Sequence, residues 1–274
     1  MKKDRRIEVM GILNLTDDSF YAASRCSSVD DALFRVESMV GEGADIIDLG
    51  ACSTRPGSQT VTLREEWDRL APVLMPLRTE FPQVRISVDT FRSDIVQRVY
   101  DAIGDFIVND ISAGEDDAMM LPAVGNLGLS YVAMHKRGNP QSMQTMTDYD
   151  DVVEDILDYF RDFSVKAIEA GVKDWILDPG FGFAKTTRQN YELMARLGEL
   201  AVSFDGHTPR LLVGVSRKSM IYRLLGITPE ASLPATQALH MAALANGADI
   251  LRVHDVREAV QTITVYKNLQ QRLF

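Results

Sequence analysis

The chain has 274 residues, 46% of them hydrophobic and 25% charged, and carries a net charge of −10. That is a globular composition, and the acidic balance argues against a nucleic-acid partner, which would need a basic surface to release counterions. Two cysteines, Cys26 and Cys52, stand in no metal-ligand spacing and read as free thiols of a reducing compartment.

A short apolar run near the start ends at Asn14, too soon for a secretory leader or a membrane span. No later stretch approaches ~18 apolar residues, so the expectation is a cytoplasmic protein with no membrane partner. Strand-like, β-branched runs follow one another at residues 7–13, 44–49, 84–88, 106–108, 129–134, 175–177, 211–215 and 249–253. Between them, apolar residues three and four apart predict helices, among them 29–40, 63–77, 150–170 and 190–200, with an extra helix within 227–246 before the last strand. The longest predicted loop covers 136–147. Near-continuous apolar strands suit a parallel sheet covered on both faces. Eight strand–helix units in a chain near ~250 residues predict a single-domain α/β fold, a (β/α)8 (TIM) barrel over 1–274 with no internal boundary.

Every predicted strand delivers polar groups at or beyond its C-terminal end. They are Asn14, then Asp48 with Thr54 and Arg55, Asp89, Asn109 with Asp110, His135, Asp178, Ser216 with Arg217 and Lys218, and finally Arg252 with His254. Asp, Asn or Ser after a strand commonly caps the next helix. Capping, however, calls for no Arg, Lys or His, and none of these residues would be gathered by it at all eight ends. The pattern predicts a polar site at the C-terminal rim, where barrel enzymes assemble their chemistry.

The segments that carry these residues resemble one family. Met10-Gly-Ile-Leu-Asn-Leu-Thr-Asp-Asp-Ser-Phe20, Asp48-Leu-Gly-Ala-Cys-Ser-Thr-Arg-Pro-Gly57 and Ser87-Val-Asp-Thr90 are similar to dihydropteroate synthases. So are Asn109-Asp-Ile-Ser-Ala-Gly114, Leu177-Asp-Pro-Gly-Phe-Gly-Phe-Ala-Lys185, Gly214-Val-Ser-Arg-Lys-Ser219 and Arg252-Val-His-Asp255. The resemblance implies a transferase of folate biosynthesis that joins 7,8-dihydropterin-6-ylmethyl diphosphate to p-aminobenzoate with loss of pyrophosphate. It also implies Mg2+, a homodimer and a sulfonamide target.

Residue roles follow from the same resemblance. Asp178 would read the pterin edge, because an ionised carboxylate accepts two parallel N–H groups. Asp89, Asn109, Ile111, Met134, Gly182, Phe183 and Lys218 would complete the pterin pocket. Asn14, Arg252 and His254 would bind the diphosphate, Asn14 also meeting the metal, and with Lys218 these make the implied catalytic set. Phe20, Thr54, Arg55, Pro56 and Ser219 would hold p-aminobenzoate, with Ser216–Ser219 opening a helix whose N–H groups face the mouth. Taken alone, Arg252 would fit a surface ion pair with Asp255, and Lys218 a solvated lysine.

The first loop departs from the family's Thr-Pro-Asp-Ser-Phe-Ser-Asp-Gly-Gly. Asp17 stands for the proline, Ala22 for an aspartate near the metal, and Ala23 and Ser24 for the glycines. Cys52 occupies a position where glutamate is common. A pterin-dependent methyltransferase would share the barrel but need neither the Ser219 anion site nor the Arg252/His254 pair. A Schiff-base aldolase using Lys218 would want an apolar pocket, and a non-catalytic pterin-binding relative is the reading from outside enzymology.

Overall fold

The computed structural model describes residues 6–15, 28–52, 61–138 and 145–272. Eight parallel strands close into a barrel in sequence order. They are β1 Glu8–Asn14, β2 Ile46–Gly50, β3 Arg85–Asp89, β4 Ile107–Asp110, β5 Ser130–Met134, β6 Trp175–Asp178, β7 Arg210–Val213 and β8 Ile250–Val253. Outside them run α1 Val29–Glu42, α2 Leu63–Glu80, α3 Ser93–Ile103, α4 Met120–Leu127, α5 Val152–Glu169, α6 Thr187–Ala195, α7 Ser219–Leu225, α8 Leu233–Ala245 and α9 Val256–Arg272. The barrel predicted from the alternating pattern is the one observed. Among the described residues, no helix is long and apolar enough to cross a membrane.

Period-two alternation sorts each strand into an inward and an outward face. The outward residues, such as Val9, Ile47, Val88 and Leu251, join the helices' apolar stripes in one large core. The inward residues form layers. At the N-terminal end, Glu8 is buried against Arg85 (2.6 Å) and Arg210 (2.5 Å). Burial alone would raise its carboxyl, but the hydrogen bond and charge of Arg85, with Arg210 and Arg6, hold it below its ordinary value. Above this ionic floor lies a separate apolar slab of Met10, Ile46, Ile107, Val132, Ile176, Leu212 and Ile250. Each such fully buried side chain contributes about 1.5–3 kcal/mol of transfer free energy, so the slab keeps water from running through the barrel axis. One step higher the inward residues turn polar: Asp48, Ser87, Asn109, Asp178 and Arg252. The register delivers them together, with Asp48 opposite Ser87, Asp89 opposite Asn109, and Met134 opposite Asp178.

Helix ends explain where the predicted bounds moved. The helix expected over 190–200 instead begins at Thr187, because Thr186 and Gln189 form a capping box. It closes at Arg196, whose guanidinium is held by Asp151 and Glu199, and a 3-10 turn, Leu197–Leu200, takes up the remainder. Within the expected helical stretch 227–246 the α-helix covers Leu233–Ala245. The last helix but two, α7, starts only at Ser219, since β7 ends at Val213 and the chain between them is irregular.

Candidate active site

The polar layer is organised by one carboxylate. Asp48, wholly buried in the middle of β2, accepts Ser87 Oγ at 2.6 Å and Asn109 Nδ2 at 3.2 and 3.1 Å. Arg252 reaches across from β8 to give the same carboxylate Nε at 2.7 Å and Nη2 at 2.6 Å. Since all three partners donate into Asp48, the Asn109 amide is turned with its nitrogen down and its carbonyl oxygen away from Asp48. Nη2 of Arg252 also lies 3.1 Å from Asp89 at the end of β3. Among the described residues the hydrogen bonds of Arg252 run through Nε and Nη2. The surface pair with Asp255 is therefore not formed by Arg252. Asp255 belongs to Arg217, at 2.9 and 2.8 Å.

Gly214, just past β7, marks the point where the predicted residues converge. A Cβ there would lie 3.8 Å from Arg252 Cβ, 3.9 Å from Lys218 Nζ and 4.0 Å from Asp178 Oδ2. Side chains from three strand ends, far apart in sequence, thus meet around one position. Lys218 is not a solvated lysine: its Nζ donates to the Phe181 carbonyl at 2.5 Å and sits 4.8 Å above the Phe183 ring. Burial pushes it down to about 8, against the opposing pull of Asp178. Asp178 is raised by burial and lowered again by Lys218, by the Gly180 N–H at 2.8 Å and by Arg252. Asp89 is likewise raised, burial outweighing Arg252 while Asp48 and further carboxylates add to the rise. Each of these groups would be costly to bury unpaired, and the mutual pairing is what lets them share one cavity.

The other predicted residues distribute as follows. Asn109, Ile111 and Met134 are buried at the ends of β4 and β5, and Gly182 and Phe183 are half-buried on the loop after β6. Gly182 has φ 81°, and a Cβ on it would meet Lys218 Cδ at 3.3 Å. Asn14 ends β1, with its Oδ1 against Gly50 of β2. His254 follows β8, its Nδ1 3.0 Å from Ser216 Oγ, which also accepts the His254 N–H at 3.2 Å. Burial and the positive charges of Arg252, Arg217 and Lys218 push this imidazole down to about 4, so it is a neutral ring. Ser219 is the first residue of α7, half-buried.

One sequence expectation needs correcting here. The segment Ser216–Ser219 does not start a helix directly after the strand. Arg217 adopts φ 53°, a left-handed backbone that turns its side chain outward to Asp255 and to the carbonyls of Pro229 and Glu230. These partners engage its guanidinium, so it bears on the mouth through its charge, which helps lower His254. Phe20, Thr54, Arg55 and Pro56, expected around p-aminobenzoate, lie outside the described residues, as do Cys26 and much of the 136–147 loop. Cys52 is a free thiol that burial, with Glu66 beside it, pushes up to about 12. At that value it is a protonated, unreactive group.

Two groups carry no role in the sequence reading. Asp48 was visible as a carboxylate within an apolar run, and its parity with Gly50 puts it on the inward face. Lys185 closes the motif after β6, and its Nζ is fully engaged, 3.0 Å from His135 Nδ1, 3.0 Å from the Gly180 carbonyl and 3.1 Å from that of Phe183.

A closed barrel with a polar mouth of this kind defines the class. The family of pterin binding enzymes matches residues 10–254, and the chain belongs to it. The dihydropteroate synthase of Escherichia coli is 42% identical over 260 residues, 94% of this chain and 89% of that one. That of Synechocystis sp. is 41% identical over 265 residues, covering 95% and 89%. Among solved structures, the Yersinia pestis dihydropteroate synthase in a sulfonamide drug complex superposes with a TM-score of 0.90 at 38% identity, covering 97% of this chain and 95% of that chain. The Burkholderia cenocepacia enzyme complexed with 7,8-dihydropteroate gives 0.87 at 36% identity, covering 98% and 93%. At this likeness the family is that of the dihydropteroate synthases, transferases of folate synthesis.

Proposed function

We propose that the chain condenses 7,8-dihydropterin-6-ylmethyl diphosphate with p-aminobenzoate, giving 7,8-dihydropteroate and pyrophosphate. The observation that carries this reading is the meeting of Asp178, Lys218 and Arg252 around Gly214. A dihydropterin offers a donor edge (exocyclic amine beside ring N–H) and, elsewhere, acceptor atoms. Asp178 supplies two acceptors for the first, and the ammonium of Lys218 supplies donors for the second. The Asn109 carbonyl and Asp89 take further ring donors, while Ile111, Met134 and Phe183 wall the faces.

The diphosphate falls to Arg252, whose Nη1 is left over from the Asp48 and Asp89 contacts, and to His254. In this reading the neutral ring, its Nδ1 3.0 Å from Ser216 Oγ, acts as a hydrogen-bond donor through Nε2 rather than as a cation. Asn14 would hold a magnesium ion. Among the described residues no group of three His, Cys, Asp or Glu could bind a metal alone, so the Asn14 amide oxygen at the rim would be the protein's contribution to such an ion. When bound, such an ion neutralises charge on the leaving oxygens.

The C–O bond to the diphosphate breaks first or ahead of attack, because the methylene carbon can spread positive charge into the ring. Arg252 and His254 stabilise the negative charge that develops on the leaving oxygen. The aniline nitrogen, neutral at pH 7, then forms the new C–N bond and releases a proton. Ser219, with Phe20, Thr54, Arg55 and Pro56, would hold the aminobenzoate so that the nitrogen faces the carbon. Formation of dihydropteroate and pyrophosphate from the two substrates with Mg2+ tests the reading; pterin binding without turnover would favour the non-catalytic alternative.

The ionisations give a pH profile. Asp89 must be ionised to accept from the ring, and burial holds it well above the usual carboxylate range. Lys218 donates most strongly as an ammonium, and its charge is lost as pH rises through about 8. The profile of kcat/KM for the pterin diphosphate should therefore be a narrow bell. An acid limb near the ordinary carboxylate value of ~4 together with no alkaline limb below ~10 would contradict this.

The reading also extends to a homodimer. Leu224, Leu225 and Ile227 at the end of α7, and Val265 and Leu269 one turn apart on α9, are exposed. Exposed apolar side chains on the outer helices favour burial against a second copy. Light scattering should give twice the chain mass of 30.5 kDa; a monomer at micromolar concentration would exclude it.

A further inference from the structure

The loop after β6, Asp178-Pro-Gly-Phe-Gly-Phe-Ala-Lys185, coils in an unusual way. Gly180, Gly182 and Ala184, at alternate positions, all have positive φ, at 70°, 81° and 48°. For Ala184 that backbone is strained. The coil turns the carbonyls of Gly180, Phe181 and Phe183 toward two lysine amino groups. Lys218 takes Phe181 from the cavity side, and Lys185 takes Gly180 and Phe183 from beneath. Lys185 is buried, and its third donor points at His135 Nδ1. The approach is tight enough that a Cβ on Gly180 would stand 2.0 Å from the His135 carbonyl. Burial and the charges of Lys185 and Arg137 keep the His135 ring neutral, so that Nδ1 can accept. Three donors therefore meet three acceptors.

We infer that Lys185, seated on His135, is a positioning residue for pterin recognition: it locks the coiled loop so that Asp178 and Phe183 present the carboxylate and the ring wall in one fixed arrangement. The inference rests on the pterin reading of Asp178 given above. The two ends of the loop bear the two pterin contacts, and Lys185 ties Gly180 to Phe183, while Asn190 holds the Gly182 N–H at 2.7 Å and the Lys185 carbonyl at 3.3 Å. Nζ bonds the carbonyl two residues after Asp178 and that of Phe183 itself. Without that tie, the strained Ala184 backbone would relax, and both contacts would shift relative to Lys218 and Arg252. Displacement of a positioned group by even ~1 Å is enough to cost about a hundredfold in rate.

The experiment is a double-mutant cycle on kcat/KM for the pterin diphosphate at saturating p-aminobenzoate, using the full chain. Lys185→Met should lower kcat/KM by about tenfold or more, leave the KM for p-aminobenzoate within twofold, and add less than threefold to the loss already caused by Asp178→Asn. A Lys185→Met enzyme equal to wild type would overturn the inference. So would equal losses in both backgrounds, which would mark a purely structural lysine. If Lys185→Met does not fold, Lys185→Gln, which retains two donors, is read by the same ratio; failure of both to fold while Asp178→Asn folds would assign Lys185 to stability alone and overturn the proposal. An Asp178→Asn enzyme with unchanged kcat/KM would instead overturn the pterin site itself, separately from anything Lys185 does.

Discussion

Replacing Asp178 with Asn should lower kcat/KM for the pterin diphosphate by about 10^3-fold or more, with the fold retained. The amide keeps the shape but presents one donor where the pterin edge also has donors. Losing one charge-assisted acceptor costs about 1.5–3 kcal/mol, and leaving two donors face to face in a buried cavity adds a desolvation penalty of similar size. Such mismatches are the strongest discriminators an enzyme site can build. Stability should change little, because relief of the burial that raises the Asp178 carboxyl is offset by the loss of its pairing with Lys218. Steady-state kinetics beside a thermal melt separates the two effects. A loss of activity that merely tracked a loss of folding would leave Asp178 without the role assigned to it.

The second large effect is expected at Arg252. Arg252→Ala should cut kcat by about 10^2–10^3-fold, the range for removing a group that stabilises a developing negative charge. It should also destabilise the fold, by about 3–5 kcal/mol, because Asp48 would remain buried with its main counter-ion gone. Ser87 and Asn109 still donate to Asp48, so the lower part of that range is the better guide. Arg252→Lys is not expected to rescue, since an ammonium cannot meet Asp48 and Asp89 through two separate nitrogens as the guanidinium fork does. Denaturant titration measures the stability term, and pyrophosphate release measures the rate. Full activity in Arg252→Ala would remove the leaving-group role.

These two residues also show what a sequence can and cannot disclose. Their placement at strand ends was legible, because a parallel barrel demands apolar strands and puts the first polar residues at one rim. Neither the convergence nor the partners were. Asp48 bonds Ser87, Asn109 and Arg252, residues 39, 61 and 204 positions away, and only the barrel's register sets those distances. Arg252 beside Asp255 looked like a local pair, yet strand alternation sends the two to different sides and gives Asp255 to Arg217. The same reversal hid the fate of Arg217: nothing in Ser-Arg-Lys-Ser announces a residue at φ 53°. The capping box at Thr186-x-x-Gln189 is readable in the sequence and starts α6 earlier than the apolar period suggests. Lys185 sat in plain view at the end of a motif, but its role depends on three alternate left-handed residues that only coordinates reveal.

Ser219 stands at the start of α7, while its expected companions Phe20, Thr54, Arg55 and Pro56 lie outside the described residues. Substitutions at Ala22 and Asp17, where the family has aspartate and proline, bear on that first loop. The base of the second loop is better defined. Glu66, fully buried in α2, is held by Thr90 at 2.6 Å and by Arg92, which also donates to the Val61 carbonyl at 2.6 Å. This fixes where the loop leaves and re-enters the barrel.

A crystal soaked with the pterin diphosphate tests the central claim most directly. The ring's donor edge should lie on Asp178 and its acceptor atoms near Lys218, with the diphosphate against Arg252, His254 and Asn14. A pterin bound elsewhere on the barrel, or bound with its donor edge turned away from Asp178, would contradict it.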